Sequence, residues 1–240
     1  MKLKKRNRAL LIALAVLLVL TAAGALYFSD YYRADGRALA ALKSDGTVHV
    51  TQTDYGWFFD GPSEENVLIF YPGGKVEETA YAPLLHELAV RGMDACLVRM
   101  PLRLAVFGQD RADLALGEHE AENVYIGGHS LGGAVAALYA AEHADALRGL
   151  VLLAAYPSGP LDGKLQVLTV VGTEDLVVRR GRLEAAARYL PESADFCEID
   201  GGNHAQFGSY GPQKGDGEAR ISPEEQWAET AALVAGLPER

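Results

Sequence analysis

The sequence of 240 residues contains only two cysteines, Cys96 and Cys197. It has no internal repeat and no low-complexity linker beyond an N-terminal spacer, which leaves one globular body as the expectation. It shows neither metal-ligand spacing nor a phosphate-binding glycine loop, so no metal and no cofactor are expected. Positive charge is scarce beyond the first residues. Lys2, Lys4, Lys5, Arg6 and Arg8 are five of the 22 basic residues, which leaves 17 against 32 acids, a net charge of −15 over residues 30–240. A body of that sign is repelled by phosphate backbones, so no nucleic-acid partner is expected.

The stretch Ala9 to Leu26, "ALLIALAVLLVLTAAGAL", has no charge at all. At about 1.5 Å rise per residue, roughly 18–20 such residues cross a ~30 Å hydrocarbon core. Residues 1–8 then read as a basic cytoplasmic end and 9–28 as a transmembrane anchor, with the remainder outside the cytoplasm and a lipid bilayer as one partner. A cleaved signal peptide stays open as the alternative, because Ala23-Gly24-Ala25 resembles a small-residue cleavage site and would make the protein secreted. In either case the body is exported, and a disulfide is chemically permitted there.

Residues 29–46 read as a polar spacer, and 47–240 as the globular domain. The spacer has helical character over "GRALAALK" and closes on the turn signal Ser44-Asp45-Gly46. "TVHVTQT" and "YGWFFDG" then read as a two-stranded hairpin. Beyond it, continuous apolar runs such as "VLIFY", "ACLVRM", "NVYIGG", "LVLLAA" and "QVLTVVG" alternate with stretches of helical period. Continuous rather than alternating runs are the mark of parallel strands buried on both faces. One helix places Tyr81, Leu84, Leu85 and Leu88 on one face, and the last opens with a capping box, Ser222 and Glu225. The fold class is therefore α/β, a doubly wound and mostly parallel sheet.

In open α/β sheets the working residues collect beyond the carboxyl ends of the strands. "NVYIGG" runs into His129-Ser130-Leu131, and Gly128-His129-Ser130-Leu131-Gly132 fits G-x-S-x-G. A serine on such a strand-to-helix turn exposes its hydroxyl, and the helix start at Leu131 aims free N–H groups at the same spot. "QVLTVVG" is followed by Glu174-Asp175, and "DFCEID" by Gly201-Gly202-Asn203-His204. A serine needs a base to take its proton, and that base needs a carboxylate to fix its tautomer. Ser130, Asp175 and His204 are the candidate catalytic residues, with Glu174 the rival for the acid.

These residues, each at its own strand end and in this order, resemble the α/β-hydrolase superfamily from about Val48 onward. "YPGGKVEETAYAPLLHELAVRGM" and "GGNHAQFGSYGPQKGDG" are similar to the fold-5 group of bacterial, often membrane-anchored, hydrolases. The resemblance implies a serine nucleophile at Ser130, an acid at Asp175 and a base at His204. Its oxyanion hole would take one donor from Leu131 N–H and the second from Gly74 N–H, with Lys75 N–H the alternative. Pro72 stands where lipases have the histidine of HGGG, which sets this chain apart from them. The family's strand order would separate Cys96 from Cys197 by several ~4.8 Å spacings, so two free, buried thiols are expected.

Only "YPSGPLDGK" separates two of the strand runs, too short for a cap domain, so the site should be open. Candidate pocket residues are Lys75, Glu77, Arg99, His129, Gln206, Phe207 and Tyr210. Arg179, Arg180 and Arg182 read as a solvated helix face. The expected activity is a serine hydrolase of the carboxylesterase type, acting through an acyl-enzyme on a small or surface-presented ester. An amidase or peptidase of the same fold and a non-catalytic binding module are the alternatives.

Overall fold

The computed structural model describes residues 5–119 and 121–237, so part of the basic end at 1–8 lies outside the described residues. The chain divides into two units, Met1–Tyr31 and Tyr32–Arg240. The first is one helix, α1 (Lys5–Ser29). Its segment Leu10–Ser29, with mean hydropathy 2.6, is the one described helix long and apolar enough to cross a membrane. Leucines and valines along it are exposed.

The second unit is built on an eight-stranded sheet: β1 (His49–Gln52), β2 (Gly56–Asp60), β3 (Asn66–Tyr71), β4 (Asp94–Val98), β5 (Asn123–His129), β6 (Gly149–Leu153), β7 (Gln166–Gly172) and β8 (Asp195–Ile199). The spatial order is β1-β2-β4-β3-β5-β6-β7-β8. β1 and β2 form the hairpin read from the sequence, and β2 runs antiparallel to β4. From β4 through β8 every pairing is parallel, so the carboxyl ends of β3, β5, β7 and β8 share one edge.

The helices are α2 (Gly36–Ala40), α3 (Ala82–Val90), α4 (Ala112–Leu116), α5 (Leu131–Glu142), α6 (Arg180–Ala186) and α7 (Pro223–Ala235). They cover both faces of the sheet, which is why the strand sequences are continuously apolar. In β3, Leu68 and Phe70 join the core formed with α3 and α7, while Val67, Ile69 and Tyr71 join the core formed with α5. The capping box at the start of α7 is present: Glu225 N–H donates to the Ser222 hydroxyl, and Ser222 N–H donates to the Glu225 carboxylate.

Two features depart from the sequence reading. Residues from Tyr32 onward belong to the globular unit, ahead of the boundary at 47. Tyr32 N–H donates to the Lys75 carbonyl and Ala38 is fully buried, so much of the segment read as spacer is packed structure. Cys96 on β4 and Cys197 on β8 are free, as expected, with four strands between them; Cys197, however, is half-buried because β8 is the sheet edge. The segment after β4, which shows no clear period, folds as three 3-10 turns and α4. Between β6 and β7 no described helix or strand intervenes, so no cap domain is inserted there.

Asp94 opens β4 at the edge opposite the carboxyl ends. It is buried, accepts a hydrogen bond from Gly61 N–H at 2.8 Å, and burial raises its pKa from 3.8 to about 6, with Asp60 and Glu64 pushing the same way. The folded state thus holds this proton more tightly than the unfolded chain. Its contribution to stability is present below about pH 4 and is lost as the pH rises through about 6. Asp94→Asn is expected to stabilise the protein by roughly 1–3 kcal/mol near pH 8 and to change little near pH 4. Urea unfolding midpoints at the two pH values check this.

Candidate active site

Ser130 sits between β5 and α5 with φ 52° and ψ −120°, a backbone conformation that costs a non-glycine residue about 1–3 kcal/mol. The strain is held by close approach of backbones. A Cβ on Gly128 would lie 2.5 Å from the Tyr71 carbonyl oxygen, and one on Gly132 2.2 Å from the same atom. Both glycines of the G-x-S-x-G pattern are therefore required sterically, since the turn presses against the end of β3. Ser130 N–H is fixed by donation to the Leu153 carbonyl at 2.9 Å.

Asp175 follows β7 and His204 follows β8. The carboxylate of Asp175 and Nδ1 of His204 are 2.8 Å apart, and both side chains are buried. The second carboxylate oxygen of Asp175 accepts from Val177 N–H and Val178 N–H, each at 2.8 Å. With every contact of this kind made on the Asp175 side, Nε2 of His204 is left buried and without a partner. Glu174 points elsewhere, into an ion pair with Arg220 at 2.8 Å. Between the two acids, the geometry selects Asp175 for the pairing with His204. Ser130 and His204 line one cavity of about 360 Å³, whose other walls include Leu131, Ala134, Ala154, Tyr156 and Val177.

Gly73, Gly74 and Lys75 form the loop after β3. Lys75, at φ 59°, donates its N–H to the Arg103 carbonyl at 2.9 Å, so that N–H is committed and the alternative oxyanion donor is removed. Gly74 N–H has no such acceptor among the described residues, and a Cβ at Gly74 would lie 2.8 Å from the Leu131 side chain. Gly73 N–H donates to the Tyr81 hydroxyl at 3.0 Å, which leaves the phenolic proton for Nδ1 of His129 at 2.8 Å. The His129 ring lies 4.4 Å from that of His204. Burial holds His129 well below the usual histidine range, and His204 pushes it the same way, so His129 is a neutral wall behind the His204 ring.

None of the seven residues read as pocket candidates lines the cavity at Ser130. Lys75 is held by Arg103 through its backbone. Glu77 accepts from Ala34 N–H, and Arg99 pairs with Glu78 at 2.7 Å. His129 is sealed under Tyr81. Phe207 and Tyr210 are buried in the core shared with α3 and α7. Gln206 borders a separate cavity of about 480 Å³. The long glycine-rich loop behind His204 packs on the segment before α2, with the Ser209 hydroxyl donating to Asp35, instead of walling the site. The wall comes from the connections after β6 and β7, including Ala154 at φ 47°, Tyr156, Arg179 and Arg182. Ala154 follows β6 directly, but Arg179 and Arg182 lie at the start of α6, where the sequence reads them as a solvated helix face.

A parallel sheet wound on both faces, with a strained serine turn and a buried carboxylate–imidazole pair at its carboxyl edge, defines a hydrolase-type α/β fold. The family model described as "Alpha/beta hydrolase family" matches residues 67–228. The chain belongs to that family. No curated protein sequence matches it. Among solved structures it is similar to Est1E from Butyrivibrio proteoclasticus (15% identity, 81% of this chain and 100% of that one, TM-score 0.55). A membrane phospholipase A described as a bacterial virulence factor is similar over 97% of this chain and 100% of its own, at 16% identity and TM-score 0.58. An α/β hydrolase enzyme, MGS-MChE2, from a sediment metagenome of the Mar Chica lagoon in Morocco matches at 18% identity over 80% of this chain and 99% of its own, with TM-score 0.58.

Replacing Tyr81 by Phe leaves Gly73 N–H and His129 Nδ1 unpaired in a buried region. Tyr81→Phe is expected to cost about 1–3 kcal/mol of stability, read as a lowered denaturation midpoint with an unchanged urea m-value.

Proposed function

We propose that the protein is an exported serine hydrolase that cleaves carboxylic esters through an acyl-enzyme. One observation carries the reading: the buried Asp175–His204 pair at 2.8 Å leaves Nε2 of His204 unpartnered in the same cavity as a strained, half-buried serine turn. Ser130 attacks the ester carbonyl while His204 takes its proton, and Asp175 stabilises the imidazolium that forms. The oxyanion is held by Leu131 N–H at the start of α5 and by Gly74 N–H, the donor left open when Lys75 is committed to Arg103. His204 then returns the proton to the leaving alcohol, and a water activated by the same imidazole hydrolyses the acyl-enzyme.

The largely apolar walls, Leu131, Ala134, Ala154 and Val177, suit an acyl chain. The apolar helix Leu10–Ser29 behind a basic end supports a bilayer anchor with the domain outside the cytoplasm; removal of the helix as a signal segment is the alternative. The membrane phospholipase A among the similar structures is in keeping with an ester substrate at a membrane. Small-molecule or surface-presented esters are the substrate partners in this reading.

A fluorophosphonate probe is expected to label the full-length protein in neutral detergent, and Ser130→Ala to abolish both labelling and ester turnover. Labelling that survives in Ser130→Ala sinks the nucleophile assignment. A folded wild type with neither labelling nor turnover supports a binding module instead. Asp175→Asn is expected to lower kcat by about 10³–10⁴ with the protein still folded, measured on a para-nitrophenyl ester. The same probe, made membrane-impermeant and applied to intact cells, reports the side on which the domain lies.

A further inference from the structure

We propose that the ester cleaved at Ser130 carries an anionic group, a carboxylate or a phosphate, and that Arg179 and Arg182 hold it. The inference rests on the ester-hydrolase reading above and assigns that enzyme's substrate class.

Arg179 and Arg182 line the cavity that contains Ser130 and His204. No carboxylate lines that cavity among the described residues, so its formal charge comes from these two guanidinium groups. They stand one helical turn apart, across the start of α6, and neither has an ion-pair partner among the described residues. Other arginines in this acidic chain do have partners: Arg37 with Asp35, Arg91 with Glu87, Arg99 with Glu78, and Arg220 with Glu174 and Asp200. Arg180, between the two in sequence, turns away to Glu198 and to the Gly172 carbonyl. With 32 acids against 22 basic residues, a solvated basic face has carboxylates to spare. Arg111, Arg148 and Arg188 also form no ion pair among the described residues; what sets Arg179 and Arg182 apart is that they line the cavity of the nucleophile, where no carboxylate answers them.

The chemistry that satisfies them is an oxyanion. A guanidinium presents a planar fork of donors that matches a carboxylate or phosphate with two parallel hydrogen bonds. The net −15 of residues 30–240 would otherwise repel an anionic ester, so a local cationic wall is what lets one approach. Both arginines are exposed and unpaired, so they can reorient onto a ligand without first breaking an ion pair.

The test uses the full-length protein in neutral detergent with matched ester pairs. One pair differs on the acyl side, para-nitrophenyl butyrate against the para-nitrophenyl monoester of glutaric acid. A second differs on the alcohol side, the butyryl ester of glycerol against that of glycerol phosphate. The expected result is a kcat/KM at least about tenfold higher for the anionic member of one pair. The double variant Arg179→Gln/Arg182→Gln should reduce that ratio by about tenfold or more. Arg182→Glu should turn the preference toward a choline ester. Raising NaCl to about 0.5 M should shrink the wild-type ratio through screening.

Equal Ser130-dependent use of neutral and anionic esters overturns the proposal while leaving the hydrolase reading intact. A double variant that slows both members of a pair by the same factor overturns it too, assigning the arginines a structural role. Absence of turnover on every ester, with no fluorophosphonate labelling, removes the hydrolase reading itself. Preference for the glutaric monoester alone identifies a carboxylate on the acyl side; preference for the glycerol phosphate ester alone identifies a phosphate on the alcohol side. Either supports the proposal.

Discussion

The structure depends on how closely the turn after β5 is pressed against the end of β3. Those strands pair in parallel from Asn66↔Asn123 to Tyr71↔Gly128, and the pairing carries the Gly128–Gly132 turn onto the Tyr71 and Pro72 carbonyls. No side chain larger than hydrogen fits at either glycine. Ser130 is then forced to φ 52°, and α5 starts immediately behind it. A strain of this size persists only where the surrounding packing over-determines it, and here the packing is the core itself. Ile126, Val135, Ala136 and Leu152 are all buried around the turn. The apolar content of the strands and the strained geometry of one serine are thus parts of a single constraint.

The same edge collects the other unusual backbone conformations. Among the described residues, the non-glycine positions with positive φ are Lys75, Leu102, Arg103, Ser130 and Ala154. Lys75 and Arg103 are joined by a backbone hydrogen bond, which ties the segment after β4 to the loop after β3. On the other side of that loop, the chain from Gly73 N–H through Tyr81 to His129 fixes the loop from beneath. Gly74 lies between these two attachments with its N–H unspent. The neutral His129 ring beneath also packs against His204, so loop and imidazole are positioned by one buried group.

Much of this arrangement was legible in the sequence, for identifiable reasons. Parallel strands announce themselves by continuous apolar runs, and the α/β rule about strand ends then picks out Ser130, Asp175 and His204 without any geometry. Of the two acids that follow β7, Asp175 meets His204 and Glu174 meets Arg220. The pocket was not legible. Gln206, Phe207 and Tyr210 follow His204 in sequence, yet their apolar rings are worth more in the core with α3 and α7 than in a solvent-open wall. A long glycine-rich loop reads as functional by length, and here its polar atoms are satisfied by the segment before α2. The commitment of Lys75 N–H was equally invisible, because its acceptor, Arg103, lies 28 residues on in a segment with no readable period.

The absence of a cap between β6 and β7 has an energetic consequence for selectivity. In a closed site water is expelled and each charge contact is strong; in an open one, solvent screens it. Arg179 and Arg182 stand at such an open mouth, exposed and without carboxylates, so an anion bound there would be held with surface-like strength. Discrimination by tens, not by thousands, is what that environment can supply. Stronger selection would have to come from the buried lining of the cavity, and there the apolar side chains are Ala154, Ala155 and Val178. Apolar walls distinguish a methylene by only about 1–3 kcal/mol. In the proposed reading, a site built this way would favour a charge class broadly and an acyl chain loosely, with the attack by Ser130 independent of both.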